Sequence, residues 1–350
     1  MPVYLSVYAV LALVALSVRP RLAMPWLLGG ALFLWWFMGA RYEVGCDFGG
    51  YLYRYENIPY EANLYGALHG SEPGFQLLIT AVKLAGLDYM WLNLAATAIM
   101  LGCILHFLRA MPDPLTILAL LFPVMIVQLG MSGIRQGIAA SMLMTAAVPF
   151  LRGSRLGTAG WIVLGMQFHA SVIMFLPIAL VAGRQVHPLR LIAAVGLLTP
   201  VAALLLADRL EVYQDRYIDQ VGGAITSGGG LIRFALILIP ALFFVLYRRR
   251  LRAAFPEHYD LTKLYTLISF ALIPVAMMSS IILHRLNYYV MPFSIVTFVL
   301  LARAIFPPGQ RLVGRMLPML VYGVYSVSWF LTSAHAQGCY VPYRNYLLGV

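Results

Sequence analysis

Charge is what this sequence has least of. Only 11% of its 350 residues are Asp, Glu, Lys or Arg, and 13 residues are acids. Soluble domains carry about 25% charged residues. A chain with so few has no polar shell to lay over a buried core, which excludes a soluble globular protein. Cysteine is scarce too: Cys46, Cys103 and Cys339 show no CxxC and no Cys/His zinc spacing. HExxH, GxSxG, Walker A and a GxGxxG after a strand are missing, as is the DxD that holds metal-bound nucleotide sugars. No metal and no cofactor is therefore expected. No ten-residue alternating pattern marks a β-barrel. Despite a net charge of +11, no basic run interleaved with aromatics marks a nucleic-acid surface. The first apolar run, Val3–Val18, has no positive residue before it and ends at "RPRLAMP", unlike a cleavable signal peptide.

What is abundant is apolar sequence, 62% of the chain, in stretches of helical length that recur along it. These predict an all-α polytopic membrane protein, a single integral membrane domain over 1–350, with about ten transmembrane helices. They fall near 3–18, 23–40, 90–108, 114–130, 133–151, 191–207, 231–247, 261–283, 287–302 and 316–331. No internal repeat and no soluble domain boundary is visible.

The cluster "YRRRLR" at 247–252 directly follows an apolar run, the mark of a cytoplasmic helix end. Walking outward from it, and from Arg19 and Arg21 after the first helix, puts Arg152, Arg155, Arg184 and Arg190 all on the cytoplasmic side. The apolar run 156–183 between them must then enter and leave by one face. Two short helices meeting near "QFHAS" would form a re-entrant hairpin, and one tilted helix is the alternative. On this topology 15 Lys/Arg and 3 acids are cytoplasmic, against 9 and 10 outside. Loops 41–89 and 208–230 and the tail 332–350 are external, as are both termini. Residues 74–87, too short for a span, read as an interfacial helix on the external face. Cys46 and Cys339 are both external, which leaves a disulfide open.

Ionisable residues in or near apolar segments are costly and default to functional candidates. Arg135 starts a helix in "MSGIRQGIAASM". Arg285 lies in "ILHRLNYYV", between two apolar runs at an external turn. Arg41 leaves the second helix in "RYEVGCDFGGYLYRY", with Asp47 close behind. Glu72 precedes the interfacial segment, and His169 sits near the turn of the hairpin. Each has a plainer reading: headgroup snorkelling for Arg135, a turn arginine for Arg285, helix caps for Asp47 and Glu72, and carbonyl satisfaction for His169. Jointly they suit a phosphate or pyrophosphate, because guanidinium binds phosphate oxygens bidentately. A carboxylate or histidine beside them can take a proton from an attacking hydroxyl. Asp208, Glu211, Asp215 and Asp219 form one helical stripe and read as a solvated face. The glycine-rich stretch 221–230 could close over a site or serve as a plain linker.

In order along the chain, "RYEVGCDFGGYLYRY", "SEPGF", "GIRQGIAASM", "FHAS", "HRLNYY" and "CYVPYRNYL" resemble the EpsG-like, Wzy-type family of bacterial polysaccharide polymerases. The resemblance spans residues 41–346. It implies a GT-C-like membrane glycosyltransferase, metal-independent, in the bacterial inner membrane with its active site facing the periplasm. Its substrates would be undecaprenyl-diphosphate-linked oligosaccharides, with a chain-length regulator and a flippase as candidate partners. Within that frame Arg135 and Arg285, supported by Arg41, would bind the pyrophosphate. His169 is the first choice for the base, with Asp47 and Glu72 as alternatives. Gln136, Ser171, Tyr51 and Tyr288 are the supporting residues. A membrane glycan ligase and a lipid-linked oligosaccharide flippase are the rival readings.

Overall fold

Proline opens many of the helices, where its missing N–H has no partner to lose and its fixed φ already suits a helix. In the computed structural model, which describes residues 1–57, 72–183, 185–197 and 228–349, the chain begins with α1 (Pro2–Ser17) and α2 (Ala23–Gly39). Two shorter helices follow, α3 (Phe48–Asn57) and α4 (Pro73–Leu84), then the long α5 (Tyr89–Arg109). Next come α6 (Pro114–Leu121), continued by a π-helical stretch Phe122–Gly130, and α7 (Ile134–Leu151). Beyond them are α8 (Arg155–Met166), a 3-10 turn Ala170–Phe175, α9 (Pro177–Val181) and α10 (Pro188–Leu197). The chain continues with α11 (Gly228–Ala254), α12 (Pro256–Met278), α13 (Ser280–Ile305), α14 (Arg311–Thr332) and α15 (Ala334–Tyr340).

No strand occurs among the described residues, only an isolated bridge between Arg41 and Asn345. Six described helices are long and apolar enough to cross a membrane, or seven if the bent pair α14 and α15 counts as one. This is an all-helical polytopic membrane protein. The expected helices at 3–18 and 114–130 are present but short, at Pro2–Ser17 and Pro114–Gly130. The expected 191–207 helix is described only as far as Leu197. Arg184, the rest of that helix and residues 208–227 of the expected loop, with its four acids, lie outside the described residues.

One expectation needs correction. Arg285 does not sit in a turn. The break falls at Ser279, whose hydroxyl accepts from Ile282 N, and α13 runs unbroken through "HRLNYY". The drop in hydropathy there marks polar side chains on a continuing helix. Within the expected tail, residues 334–340 are helical, with α15 bent 82° from α14.

The chain forms two compact units. The first holds Met1–Thr145, Leu164–His169 and Arg315–Val350, the second Ala146–Val163 and Ala170–Gly314. In the first, the π-helical stretch is apolar and buried on every side, from Phe122 to Gly130, as a helix without a solvent or lipid face must be. Helix α2 packs on α5, pinned by Trp35 Nε1 donating to Leu94 O at 2.9 Å. In the second, α11, α12 and α13 pack on one another.

The run after α7 turns back. It breaks between Met166 and Ala170, and its two ends meet. Arg155 Nε donates to Ala182 O at 3.3 Å. A Cβ on Gly183 would lie 2.9 Å from Gly153 O, so only glycine allows that approach. A single straight helix over 156–183 is thereby excluded.

Candidate functional site

Helix α4 begins where the backbone is held in an unusual state. Glu72 has φ 61° and ψ 61°, the left-handed region that residues with a Cβ seldom adopt. Such strain persists where surrounding contacts over-determine it. Here Gly74, two residues on, donates its N–H to Gln167 O at 2.9 Å. A Cβ on Gly74 would fall 2.9 Å from Gln167 Cβ, so glycine is needed for α4 to seat against the tip of the hairpin.

That docking sets three side chains in line. The Glu72 side chain is 1% exposed, and its Oε2 pairs with Arg135 Nη1. Its Oε1 lies 3.5 Å from His169 Nδ1, an ion-pair distance. Arg135, 32% exposed, also donates Nε to Tyr51 OH at 3.4 Å. Its guanidinium carbon stands 5.7 Å from the Tyr51 ring centroid. Tyr51 is held in turn by an edge contact with Phe75, centroids 5.7 Å apart. The histidine is 12% exposed. The result is a cation, a buried carboxylate and an imidazole in contact at one end of the first unit.

Other predicted residues are placed apart from this line. Asp47 precedes α3, exposed. Its backbone N–H donates to Ser132 Oγ at 3.3 Å, and the same hydroxyl donates back to Asp47 Oδ2 at 3.2 Å. It thus reaches the turn before α7 without a described contact to Glu72. Arg41, expected in the pyrophosphate set, is buried and bonded to protein acceptors. Its side chain is 1% exposed, and burial pushes its pKa below the usual arginine value. Its guanidinium donates to Val44 O, Met131 O, Met38 O and Asn93 Oδ1. That arginine is occupied in folding the 38–44 turn onto the loop before α7. Gln136, next to Arg135, is buried.

The remaining predicted residues belong to the second unit. Ser171 Oγ and Tyr289 OH share a hydrogen bond of 2.8 Å. Tyr288 lies under the Arg233 guanidinium, 5.4 Å from the ring centroid. Arg285 is partly buried on α13.

Sequence reasoning missed some polar residues. Arg54, one turn beyond Tyr51, bonds Gln76 Oε1 at 2.9 Å, and its spacing of three from Tyr51 was the available signal. Arg233 interrupts an apolar run and is 5% exposed, bonded to His284 Nδ1. An arginine in that setting was legible as a candidate and was not taken up. Cys46 and Cys339, left open above, form a disulfide. Cys46 adjoins Asp47, and Gly45 N–H donates to Cys339 O at 2.7 Å. Among the described residues no three His, Cys, Asp or Glu side chains gather.

No curated protein and no solved structure matches this sequence. A family model does, that of the EpsG family, from residue 28 to residue 345. The match takes in Arg41, Glu72, Arg135, His169 and Arg285 alike and runs through both units, so the chain belongs to the EpsG family.

Proposed function

We propose that this protein polymerises oligosaccharide repeats carried on undecaprenyl diphosphate, at the outer face of a bacterial inner membrane. The growing chain passes from its lipid diphosphate to a hydroxyl of the next lipid-linked unit. The observation that carries this reading is the buried carboxylate of Glu72 held between Arg135 and His169, in a member of the EpsG family.

Transfer at an anomeric carbon needs a group to take the acceptor's proton and positive charge for the departing diphosphate. With Nδ1 turned to Glu72, His169 takes the proton at Nε2, and Glu72 fixes the ring and its tautomer. The acceptor oxygen bonds to the anomeric carbon as the bond from that carbon to the diphosphate oxygen breaks. Arg135 meets the charge that appears on the leaving group, and Tyr51 holds the guanidinium in place. Glu72 is committed to orienting rather than to abstracting. Arg285 keeps a diphosphate-binding role on the strength of its motif.

The outer-face assignment rests on two features. The Cys46–Cys339 disulfide borders Asp47 and Ser132, three residues before Arg135, and disulfides persist in oxidising compartments. On the expected topology 15 of 24 Lys/Arg lie at the opposite face, a bias that supports this orientation. The meeting of the run's two ends supports a hairpin that enters and leaves by the cytoplasmic face.

The test is the lipid-linked sugar pool in a strain lacking the gene, complemented with the wild type or with Arg135→Ala. Accumulation of single repeats on lipid at the outer face, cured by the wild type alone, supports polymerisation. Retention of single repeats at the cytoplasmic face would make the protein a flippase. Long polymer stranded on lipid would make it a ligase.

A further inference from the structure

The second unit holds a buried cation that the reaction above does not use. Arg233 lies in the second turn of α11, inside a helix apolar enough to span a membrane, and is 5% exposed. Arginine in such a segment is expensive and marks a function by default. It bonds His284 Nδ1, in the second turn of α13, and lies over the ring of Tyr288. His284 meets the same ring edge-on, centroids 5.1 Å apart. Asn287, seven residues into α13, joins that helix to the first turn of α11 by donating Nδ2 to Gly230 O at 3.0 Å.

The N-terminus of α11, the positive end of a helix dipole, therefore lies beside the second turn of α13. α11 opens on Gly228, Gly229 and Gly230. Gly229 leaves room for the guanidinium: a Cβ there would lie 3.0 Å from Arg233 Nη2. The independent sign of a ligand is Asn287 itself. It is fully buried, and its Oδ1 has no hydrogen-bond partner among the described residues. A buried acceptor without a donor is uncommon in a folded protein.

We propose that this end of the second unit binds a glycosyl diphosphate, with the anion on Arg233 and the α11 amides and a sugar hydroxyl donating to Asn287 Oδ1. An anion alone would leave Asn287 Oδ1 without a donor, and a neutral sugar would make no ion pair with Arg233. Resting on the proposed polymerase reading, this site takes the headgroup of a second lipid-linked substrate, and Arg135 serves the first. The two substrates then have one cationic cluster each.

The experiment uses the full chain in nanodiscs of neutral phosphatidylcholine, with farnesyl diphosphate as the probe and stoichiometry read by calorimetry. The wild type is expected to bind two equivalents. Arg233→Met should weaken one of them about 30-fold, equal to ~2 kcal/mol at 1.4 kcal/mol per decade, the size of a charged hydrogen bond. Arg135→Met should weaken the other. Arg233→Lys, which keeps the charge and loses the fork, should weaken the same equivalent several-fold, and it provides the test if the methionine variant misfolds. Loss of one equivalent in the Arg233 variants alone, with Arg135→Met unchanged, upholds this site and sinks the role given to Arg135. One equivalent lost only with Arg135, or both retained in every Arg233 variant, overturns the proposal. Displacement of the probe by phosphatidylglycerol at equal concentration overturns it too, since the cluster would then be an ordinary seat for anionic lipid.

Discussion

Removing Arg135 and removing the pair it forms should have opposite consequences for stability. The Glu72 carboxylate is 1% exposed, so Arg135→Met strands a buried charge. Breaking a buried pair from one side costs about 3–5 kcal/mol. Because the arginine end of the pair is 32% exposed, the lower end, about 3 kcal/mol, applies. For a cooperative unit of 150–250 residues, about 2–4 °C per kcal/mol gives a fall of roughly 6–12 °C in apparent Tm. Glu72→Gln leaves a cation that can turn to solvent, so a loss of about 1 kcal/mol, roughly 2–4 °C, is expected. The double variant removes both charges, and replacing a buried pair is often close to neutral. Its Tm should therefore return to within about 3 °C of the wild type, while polymer formation stays absent in all three. Thermal unfolding of the detergent-solubilised protein, read alongside complementation, checks both halves. A double variant as unstable as Arg135→Met would refute the claim that Glu72 is a buried ionised partner. Polymer from any variant lacking Arg135 would refute its part in the chemistry.

Three further outcomes follow from the same geometry. His169→Gln should reduce polymer output by about 10²–10⁴-fold, the range of a lost general base, with Tm unchanged; near-normal output would move the base elsewhere. Gly74→Ala places a Cβ 2.9 Å from Gln167 Cβ. It should cost about 1–3 kcal/mol by overpacking and lower activity by shifting the hairpin tip, measured by Tm and complementation together. Single cysteines at Ser154 and Gln185, flanking the run whose ends meet, should label from the same face of intact cells. Labelling from opposite faces would contradict the hairpin.

Much of this was legible in the residues, for identifiable reasons. Helix length and apolarity act locally, so α2, α5, α7 and α14 fall within a few residues of where hydropathy puts them. The reversal at 167–169 followed from arginines at both ends of one run, a constraint that needs no coordinates. Glu72, Arg135 and His169 stood out as polar residues beside apolar runs. Their order in one line, with the carboxylate between the two nitrogen groups, depends on Gly74 meeting Gln167, 93 positions later in the chain. Arg41 and Arg135 look alike in sequence, each at a helix end. Only packing shows that one guanidinium faces four protein acceptors and the other a buried acid. Arg285 was misplaced because polar residues on a continuing helix lower hydropathy as a turn does. The cap on Ser279 was the better marker.

The strap formed by the chain's last described residues bears on how the protein is made. Tyr42 N–H pairs with Arg344 O, Tyr346 N–H with Ala40 O, and Gly45 N–H with Cys339 O. The segment leading into α3 therefore finds its backbone partners nearly 300 residues later, as the separation of 293 between Cys46 and Cys339 shows. At about 5–20 residues per second of synthesis, that segment waits roughly 15–60 s for them. During that interval every helix before α15 is available for insertion, yet the Arg41–Asp47 turn lacks its closing segment. The Asp47–Ser132 contact beside Arg135 adjoins that unfinished turn. A ribosome stalled short of residue 339 would leave a chain threaded through the bilayer with that end of the site open, a natural substrate for membrane quality-control proteolysis.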